Sequence, residues 1–207
     1  MDFKVELLKI PSEKDWMITK LMTLNTVGKT STALPTEEWK HKLIMSEHSP
    51  IRTLNFVIKM EIPYWVSVHF CRHFIGVTHC VQSQRNDRQE NYDRTTAPQG
   101  EMVSHMMYIN AQELMFMARR RLCMQASKET REVMKEICRL VEEACPYMKG
   151  ALEPMCSYRG GRCTEFTCCG YNEKFKVSKS EEFETQKLDF FKTMWYNIYR
   201  KLKKLSK

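Results

Sequence analysis

The chain has 207 residues, of which 43% are hydrophobic and 28% are charged, so it is long enough for one substantial core and short for two. No apolar run approaches the ~18 residues that a membrane-spanning helix needs, and the first residues lack the pattern of a signal peptide. These features predict a soluble, cytoplasmic protein with no membrane partner. Nine cysteines in such a protein predict mostly reduced thiols, because disulfides persist mainly in oxidising compartments.

The first part of the chain predicts two helices and then a strand. Residues 14–28 carry apolar side chains at helical spacing, and a second helix is predicted to begin after Thr36, a good N-cap residue. Residues 53–60 alternate apolar and polar side chains, which is the period of a strand. Residues 62–74 fit both a helix and a strand, because Pro63 suits a first helical position while the apolar residues behind it alternate.

The second part predicts a polar loop over residues 86–100 and then two helices. Asn110 opens the first helix with the N-x-x-E pattern of a capping box. Ser127 opens the second helix, which carries an apolar stripe and ends at Pro146. A Gly- and Cys-rich loop follows over residues 156–170. Together these elements predict an α+β domain.

The positive charge is concentrated at the C-terminal end. The formal net charge is +8, and residues 187–207 contribute +6 of it, with seven Lys and Arg against Asp189. Trp195 and its apolar neighbours follow helical spacing, so residues 171–207 are predicted to form a helical C-terminal extension. Docking through the apolar stripe is the favoured interpretation, and nucleic-acid binding through the basic residues is the alternative.

The segment "CRHFIGVTHCVQSQR", residues 71–85, combines cations with an apolar context. It contains Arg72, His73, His79 and Arg85 but no acidic residue. A guanidinium group offers a planar donor fork that matches phosphate. The segment therefore indicates an anionic ligand, with a solvated helix end as the equally weighted alternative.

Three consecutive arginines, Arg119, Arg120 and Arg121, follow Asn110 on the same predicted helix. Successive helical positions are about 100° apart, so at most one of the three side chains can face the interior. The preferred interpretation is a solvated basic face for at least two of them. Asn110 itself is expected to act as an N-cap more readily than as a ligand contact.

The loop cysteines Cys156, Cys163, Cys168 and Cys169 lack the C-x₂₋₄-C knuckles of structural zinc sites. Buried or loop thiols are therefore favoured over a metal-organised loop.

Four segments in order, "SEHSPIRTLNFVIKMEIP", "VSVHFCRHFIGVTHCVQSQR", "INAQELMFMARRRLCMQASKETRE" and "EEACPYM", resemble the flavin-dependent thymidylate synthases over residues 45–148. The resemblance implies an α+β fold with a mixed sheet packed against long helices in residues 1–170. It implies FAD-dependent transfer of a one-carbon unit from methylenetetrahydrofolate to C5 of dUMP, giving dTMP with NADPH as reductant. It also implies a homotetramer whose sites draw on several subunits.

The resemblance assigns roles residue by residue. Cofactor contacts fall on Ser49, Arg72, His73 and Asn110. Substrate contacts fall on His69, Gln82, Ser83, Arg85 and Arg121, of which Ser83 and Arg121 are implied to be catalytic. No metal ligand is implied.

Three residues depart from the family pattern. Phe74 and Gln112 stand where the family has arginines, and Phe116 stands where it has a flavin-side Asn. Two alternatives therefore accompany the main prediction. One is a dUMP C5 hydroxymethylase or related pyrimidine-nucleotide-modifying enzyme, and the other is a flavin-free homologue that binds nucleotides or nucleic acid.

Overall fold

The computed structural model describes residues 2–90 and 92–175 of the chain. Its described strands form one four-stranded sheet in the spatial order β1-β2-β4-β3, with bounds β1 (Lys4–Lys9), β2 (Asn55–Pro63), β3 (Val77–Val81) and β4 (Met102–Asn110). Every neighbouring pair of strands is antiparallel. The predicted α+β class is confirmed, while the predicted mixed sheet is wrong because the chain reverses direction between every pair of neighbouring strands.

One face of the sheet carries the core. In β2 the alternate side chains Phe56, Ile58, Met60 and Ile62 are buried, as the period of two predicts. The register places Ile58 beside Met107 and Met60 beside His105, so β4 adds its buried residues to the same face. This face is covered by helices, and the other face carries exposed side chains such as Tyr108.

The described α-helices are α1 (Glu13–Asn25), α2 (Glu37–Met45), α3 (Tyr64–Cys71), α4 (Ala111–Arg121), α5 (Lys128–Ala144) and α6 (Met155–Tyr158). The predicted N-caps Thr36, Asn110 and Ser127 all accept a backbone N–H in the first turn of their helices, and Ser12 does the same for α1. The apolar stripe of α5 is buried in the core except for Ala144, because Cys145 takes the last inward position instead.

The ambiguous stretch 62–74 divides between a strand and a helix. Pro63 ends β2, and the chain continues at once into α3. The first amides of α3 lack partners within the helix, and two of them are satisfied by the following loop: Tyr64 N–H donates to Glu101 O and Trp65 N–H to Gln99 O. The junction therefore fixes where α3 begins, and with it the position of the residues at its far end.

The chain divides into two compact units, Met1–Met155 and Cys156–Lys207. In the described part of the second unit, the buried Asn172 donates from Nδ2 to Gly161 O and accepts from the thiol of Cys168. The predicted boundary after residue 170 stays a prediction. Of the predicted helical extension over residues 171–207, the structure describes residues 171–175, which form a 3-10 turn (Tyr171–Phe175), and the rest lies outside the described residues.

Two further expectations concern the chain as a whole. All nine cysteines lie in the described residues and all are free thiols. Within the residues that the structure describes, no helix combines the length and the apolar character needed to span a bilayer.

Candidate functional site

The ends of two helices bring four of the predicted ligand-binding residues together. His69 lies in the last turn of α3, Arg72 and His73 follow directly after it, and Arg121 is the last residue of α4. The Nε atom of Arg121 lies 3.0 Å from Nε2 of His73. The charges of Arg121 and Arg72 both act on His69. We call these four residues the cationic cluster.

His73 is the buried centre of the cationic cluster, with 6% of its surface exposed. An arginine Nε can only donate, so Nε2 of His73 accepts from Arg121 and the ring proton sits on Nδ1. Nδ1–H then donates to Oε1 of Glu113 at 2.8 Å. Among the described residues the Nη1 and Nη2 groups of Arg121 make no hydrogen bond, so the chain Glu113–His73–Arg121 orients a guanidinium whose outer fork remains available to a ligand.

Asn110 caps α4, but the predicted capping box is only half formed. Its Oδ1 accepts from Glu113 N–H at 2.9 Å, and its own N–H donates to Gly76 O. In a full capping box the Glu113 carboxylate would accept from Asn110 N–H. Here that amide has another partner, and the Glu113 carboxylate accepts from His73 instead. The sequence pattern thus places Glu113 correctly on the helix but assigns it the wrong partner.

The electrostatics of the cationic cluster favour an anion. Burial lowers the pKa of Arg121, and the neighbouring charges of Arg72 and Arg120 lower it further. Burial, then Arg121 and Arg72, lower the pKa of His69, which keeps this imidazole neutral at pH 7. Glu113 is an acidic residue that contacts the cationic cluster, through its hydrogen bond with His73. A phosphate beside Arg72 and Arg121 would offset this repulsion.

The three arginines of α4 have three different environments. Arg119 is buried and forms an ion pair with Glu47, Arg120 is exposed, and Arg121 is half-buried in the cationic cluster. The prediction that at most one of them faces the interior is confirmed by Arg119. The preferred interpretation of a solvated face for at least two of them is wrong, since Arg121 turns back toward α3 to reach His73.

Ser49 lies apart from these contacts, at the start of a 3-10 turn (Ser49–Thr53), and is exposed. It lines a groove of about 700 Å³ together with Arg52 and Lys29. Gln112 accepts a hydrogen bond from Nε of Arg52. Arg52 therefore places a cation next to Gln112, at the edge of this groove.

The predicted substrate residues Gln82, Ser83 and Arg85 are engaged locally. Gln82 extends the β3–β4 pairing, because its N–H donates to Ser104 O and its Oε1 accepts from Ser104 N–H. Ser83 Oγ accepts from the N–H of Arg85. Arg85 forms two hydrogen bonds with the carboxylate of Asp87, at 2.9 and 2.7 Å. Within the described residues, no hydrogen bond or ion pair links these three side chains to the cationic cluster.

The other departures from the family pattern are apolar. Phe116 packs edge-on against His73, with ring centroids 5.8 Å apart, and so shields the buried imidazole. Phe74 is 77% exposed, with the adjacent Ile75 also exposed. These two neighbouring side chains together expose apolar surface at the end of the cationic segment.

Of the four residues assigned to FAD, two are exposed and two use side-chain atoms in hydrogen bonds within the chain. Ser49 lies beside Arg52 in the groove and Arg72 lies in the cationic cluster, so a hydroxyl and a guanidinium group at one place and a guanidinium group at the other are each suited to phosphate. Both ring nitrogens of His73 are used within the chain. Asn110 Oδ1 caps α4. The residues present therefore fit the phosphates, while the flavin contacts expected from His73 and Asn110 compete with internal hydrogen bonds.

Gly76 and Glu113 are site residues that the sequence reasoning did not identify. Gly76 has a φ of +79°, and a Cβ atom there would lie 2.4 Å from Nδ2 of Asn110. Only glycine allows the loop after α3 to approach the N-cap of α4 so closely. A glycine between His73 and a strand indicates a turn in the sequence, but the sequence does not show that this turn lies against Asn110.

The loop cysteines Cys156, Cys163, Cys168 and Cys169 all lie in the described residues as free thiols. Among the described residues, no three His, Cys, Asp or Glu side chains of that loop lie close enough to hold one ion. Cys168 instead donates to Asn172, within the same unit.

Comparisons with known proteins place this geometry in a family context. Residues 88–147 match the family model described as thymidylate synthase complementing protein, a segment that contains β4, α4 and α5. Two solved structures of the UMP/dUMP methylase PolB from Streptomyces cacaoi, bound with 5-Br dUMP and with 5-Br UMP, share the fold, with TM-scores of 0.55 and 0.54. They are 13% and 16% identical to this chain and cover 72% of it and 94% and 93% of their own length.

No curated protein matches the sequence. At these identities the structural likeness shows the fold alone, whereas the family match rests on sequence and includes Asn110, Glu113 and Arg121. The sequence match over residues 88–147 and the shared fold together confirm the resemblance of this chain to the thymidylate synthase complementing protein family.

Proposed function

We propose that this chain binds dUMP and transfers a one-carbon unit from methylenetetrahydrofolate to C5 of its pyrimidine ring, giving dTMP. The observation that carries the proposal is the cationic cluster, in which a half-buried, oriented Arg121 lies close to Arg72. The family match over residues 88–147 supports the reaction class, and so does the fold shared with a methylase that was solved with brominated UMP and dUMP.

The first role of the cluster would be to bind the phosphate of dUMP. Arg121 is held at Nε by His73, which leaves its two Nη groups to donate in parallel to two phosphate oxygens. Arg72 is exposed beside it and adds a second charge. The partly buried setting of Arg121 strengthens its contact, because fewer water molecules compete there for the phosphate.

The second role would be to orient the pyrimidine. His69 uses Nδ1 for a hydrogen bond of 2.9 Å with Oγ1 of Thr130, so Nε2 is its remaining polar atom. A neutral imidazole can hydrogen-bond to a ring carbonyl or N–H without adding charge. Fixing the phosphate and the ring at once presents C5 in one orientation, which is where positioning lowers the barrier to reaction.

FAD and NADPH belong to the proposal as well, with Ser49 and Arg72 as the residues that would hold the cofactor phosphates. When bound, FAD would supply the hydride that turns the transferred carbon into a methyl group, and NADPH would be the reductant of the flavin. The protein would position the ring, exclude water and provide fixed charge.

We also propose a homotetramer in which Ser83 and Arg85 serve the site of another subunit. This arrangement would account for two substrate residues that make only local contacts in one chain. The exposed Phe74 and Ile75 would then lie in contacts between subunits.

A flavin-free nucleotide-binding protein is the second candidate function. It is favoured by the internal hydrogen bonds of His73 and Asn110, since the residues assigned to the flavin are already engaged. The two candidates share the cationic cluster and differ in whether the protein binds FAD and catalyses a reaction.

One set of assays tests both candidates. Purified protein is given FAD, NADPH, methylenetetrahydrofolate and dUMP labelled with tritium at C5, and the expected result is tritium release that R121A abolishes and R120A retains. Binding of dUMP without FAD uptake or tritium release would establish the second candidate. A protein that neither binds dUMP nor releases tritium would contradict both candidate functions.

A further inference from the structure

Three potential metal ligands from separate elements converge next to the cationic cluster. Cys71 is the last residue of α3, His79 lies in the middle of β3, and His105 lies on the neighbouring strand β4, where its direct partner is Val81, two residues after His79. One ligand atom from each residue can be chosen so that all three lie within 4.8 Å of one another. In the described part of the chain this is the one group of three or more His, Cys, Asp or Glu residues with such spacing.

The hydrogen bonds around the two histidines fix which nitrogens face each other. His79 Nε2 lies 2.6 Å from the carbonyl oxygen of His73, which can only accept, so Nε2 carries the proton and Nδ1 carries a lone pair. That lone pair points at Nε2 of His105, 2.8 Å away. His105 Nδ1 bonds to Ser67 Oγ at 2.9 Å. Two ring nitrogens therefore meet at the centre of the group, with a single proton between them.

We propose that Cys71, His79 and His105 form a binding site for a zinc ion, with water as the fourth ligand. A thiolate and two neutral imidazoles are ligands that Zn²⁺ prefers, and three protein ligands with one open position are typical of accessible zinc sites. The gap between the nitrogens must widen slightly, since a tetrahedral ion with bonds of about 2.0–2.1 Å holds its ligand nitrogens a little more than 3 Å apart. Cys71 is exposed, so its side chain has room to close on the ion.

Both histidines have the supporting contacts that metal-bound imidazoles need. A ligating histidine usually donates its second ring N–H to a carbonyl, a carboxylate or water, which fixes the ring and increases its basicity. The carbonyl of His73 does this for His79, and Ser67 Oγ is placed to do it for His105. Ser67 is itself 1% exposed and one helical turn before Cys71, so ligand and support come from the same short helix.

Metal binding releases one proton. The bonds formed are from zinc to Sγ of Cys71, Nδ1 of His79 and Nε2 of His105. The thiol proton leaves to solvent. The proton between the two histidines moves from Nε2 to Nδ1 of His105 and is donated to Ser67 Oγ, whose own hydrogen is then donated to the thiolate of Cys71, the other hydrogen-bond partner of Ser67. No oxidant or reductant is required.

The proposed ion would also stabilise the cationic cluster. His79 donates to the backbone of His73, and Cys71 precedes Arg72 directly, so zinc would hold the loop that carries two residues of the cluster. The site does not depend on the proposed enzymatic activity, because its ligands are not among the residues assigned to nucleotide or cofactor.

Zinc and cobalt titrations of the full-length protein, freed of metal by a chelator, test this proposal. The expected result is one Zn²⁺ per chain in competition with a chromophoric chelator, with release of about one proton per zinc bound at neutral pH. Co²⁺ in the same site should give a thiolate-to-cobalt charge-transfer band and the intense visible bands of tetrahedral coordination.

Variants identify the ligands. C71S should remove the charge-transfer band and weaken zinc binding by more than about 100-fold, because loss of a second-shell partner alone costs 10- to 100-fold. S67A should fall within that smaller range. C80S is the matched control, since Cys80 is also exposed and lies beside His79, but on the opposite face of β3. Its zinc affinity should equal that of the wild type.

Three results would overturn the proposal. The first is a wild-type protein that binds no zinc tightly. The second is a folded C71S protein, checked by circular dichroism, that binds zinc as the wild type does. The third comes from the cysteines of the other unit. A variant lacking all four cysteines of the 156–169 loop should keep the stoichiometry, and loss of zinc in that variant alone would place the ion elsewhere. Measurement of dUMP binding on the same samples reports separately on the proposed function.

Discussion

Arg121 and Arg85 carry the same side chain and the same predicted role, yet the structure holds them in opposite ways. Arg121 is half-buried and bonded to a buried histidine 48 positions away in the sequence, which is bonded in turn to Glu113. The side chain of Arg85 is 60% exposed and pairs with Asp87, two residues further on. Long-range contacts therefore preorganise one arginine for a ligand, while the other has a local partner that a ligand would have to displace.

Replacement of Arg121 should have the largest effect on binding. R121A should weaken dUMP binding by about 2–3 kcal/mol, roughly 30- to 160-fold, because two charge-assisted hydrogen bonds to phosphate are lost. Isothermal titration calorimetry measures the change, with R120A, which alters an exposed arginine on the same helix, as the control. Equal affinities of R121A and R120A would remove the distinction between the preorganised arginine and its neighbours.

Gly76, which lies close to Asn110 in the loop that follows the cationic cluster, should be the backbone position most sensitive to substitution. G76A should lower the free energy of unfolding by about 2 kcal/mol or more, since it adds a steric clash with Asn110 Nδ2 to the cost of a positive φ. Gly150 is a matched control: its φ is also +79°, but a Cβ atom there meets nothing within 4 Å. G150A should cost only about 1 kcal/mol. Equal losses in urea denaturation would show that Asn110 gives way.

Removal of the Glu113 carboxylate should disturb the cluster from its buried side. E113A leaves Nδ1–H of a buried His73 without an acceptor, at a cost of about 1–2 kcal/mol in stability. E113Q keeps an oxygen that can accept and should recover most of that loss. Imidazole NMR should show the ring proton of His73 on Nδ1 in both variants, because Arg121 still donates to Nε2, but in E113A the Nδ1–H resonance should shift as it loses its acceptor. An Nδ1–H resonance that is the same in wild type and E113A would contradict the hydrogen bond from His73 to Glu113.

The elements themselves could be predicted from the sequence because their signals are local. Thr36, Asn110 and Ser127 cap helices through backbone groups two or three residues away, and the alternation of β2 is a property of nine consecutive residues. The family resemblance located Arg121 in the same way, from motif order and spacing.

The partners within the site could not be predicted, because they depend on competition between distant groups. Glu113 had a sequence-local partner in Asn110 N–H, but the carbonyl of Gly76 takes that amide and His73 takes the carboxylate. For Arg85 the partner is local in sequence, because Asp87 lies two residues further along the chain, just past the segment 71–85. A capping-box pattern predicts the position of a residue on the helix but not its hydrogen-bond partner in the folded protein.

Substitutions in the exposed Arg85–Asp87 pair should have smaller effects on dUMP binding than substitution of Arg121. If Arg85 binds the nucleotide, D87N should strengthen dUMP binding by about 0.5 kcal/mol, since an exposed ion pair of this kind is worth 0.2–1 kcal/mol. R85A should weaken binding, and D87N in the R85A background should have no effect. Identical dUMP affinities for wild type, R85A and D87N would exclude Arg85 from the substrate site.

His69 provides the smallest and most specific test, through pH. Burial, Arg121 and Arg72 hold the pKa of His69 below its ordinary value of 6.5. As pH falls below 6.5, the unfolded chain therefore takes up this proton before the folded chain does, and the folded state loses stability until the lowered pKa is passed. H69Q should lack this component of acid sensitivity in thermal unfolding measured across that range.

Nucleotide binding should shift the pKa of His69 upward. A phosphate dianion beside Arg72 and Arg121 offsets the charges that lower its pKa, so that pKa should rise on binding and dUMP binding should take up a proton as pH falls below 6.5. The phosphate itself also titrates near pH 6, so the ratio of wild-type to H69Q affinity isolates the histidine. That ratio should increase between about pH 7.5 and pH 6. A ratio that stays constant would mean that the phosphate does not lie near His69, and the preorganised half of the site would then bind something other than the phosphate of dUMP.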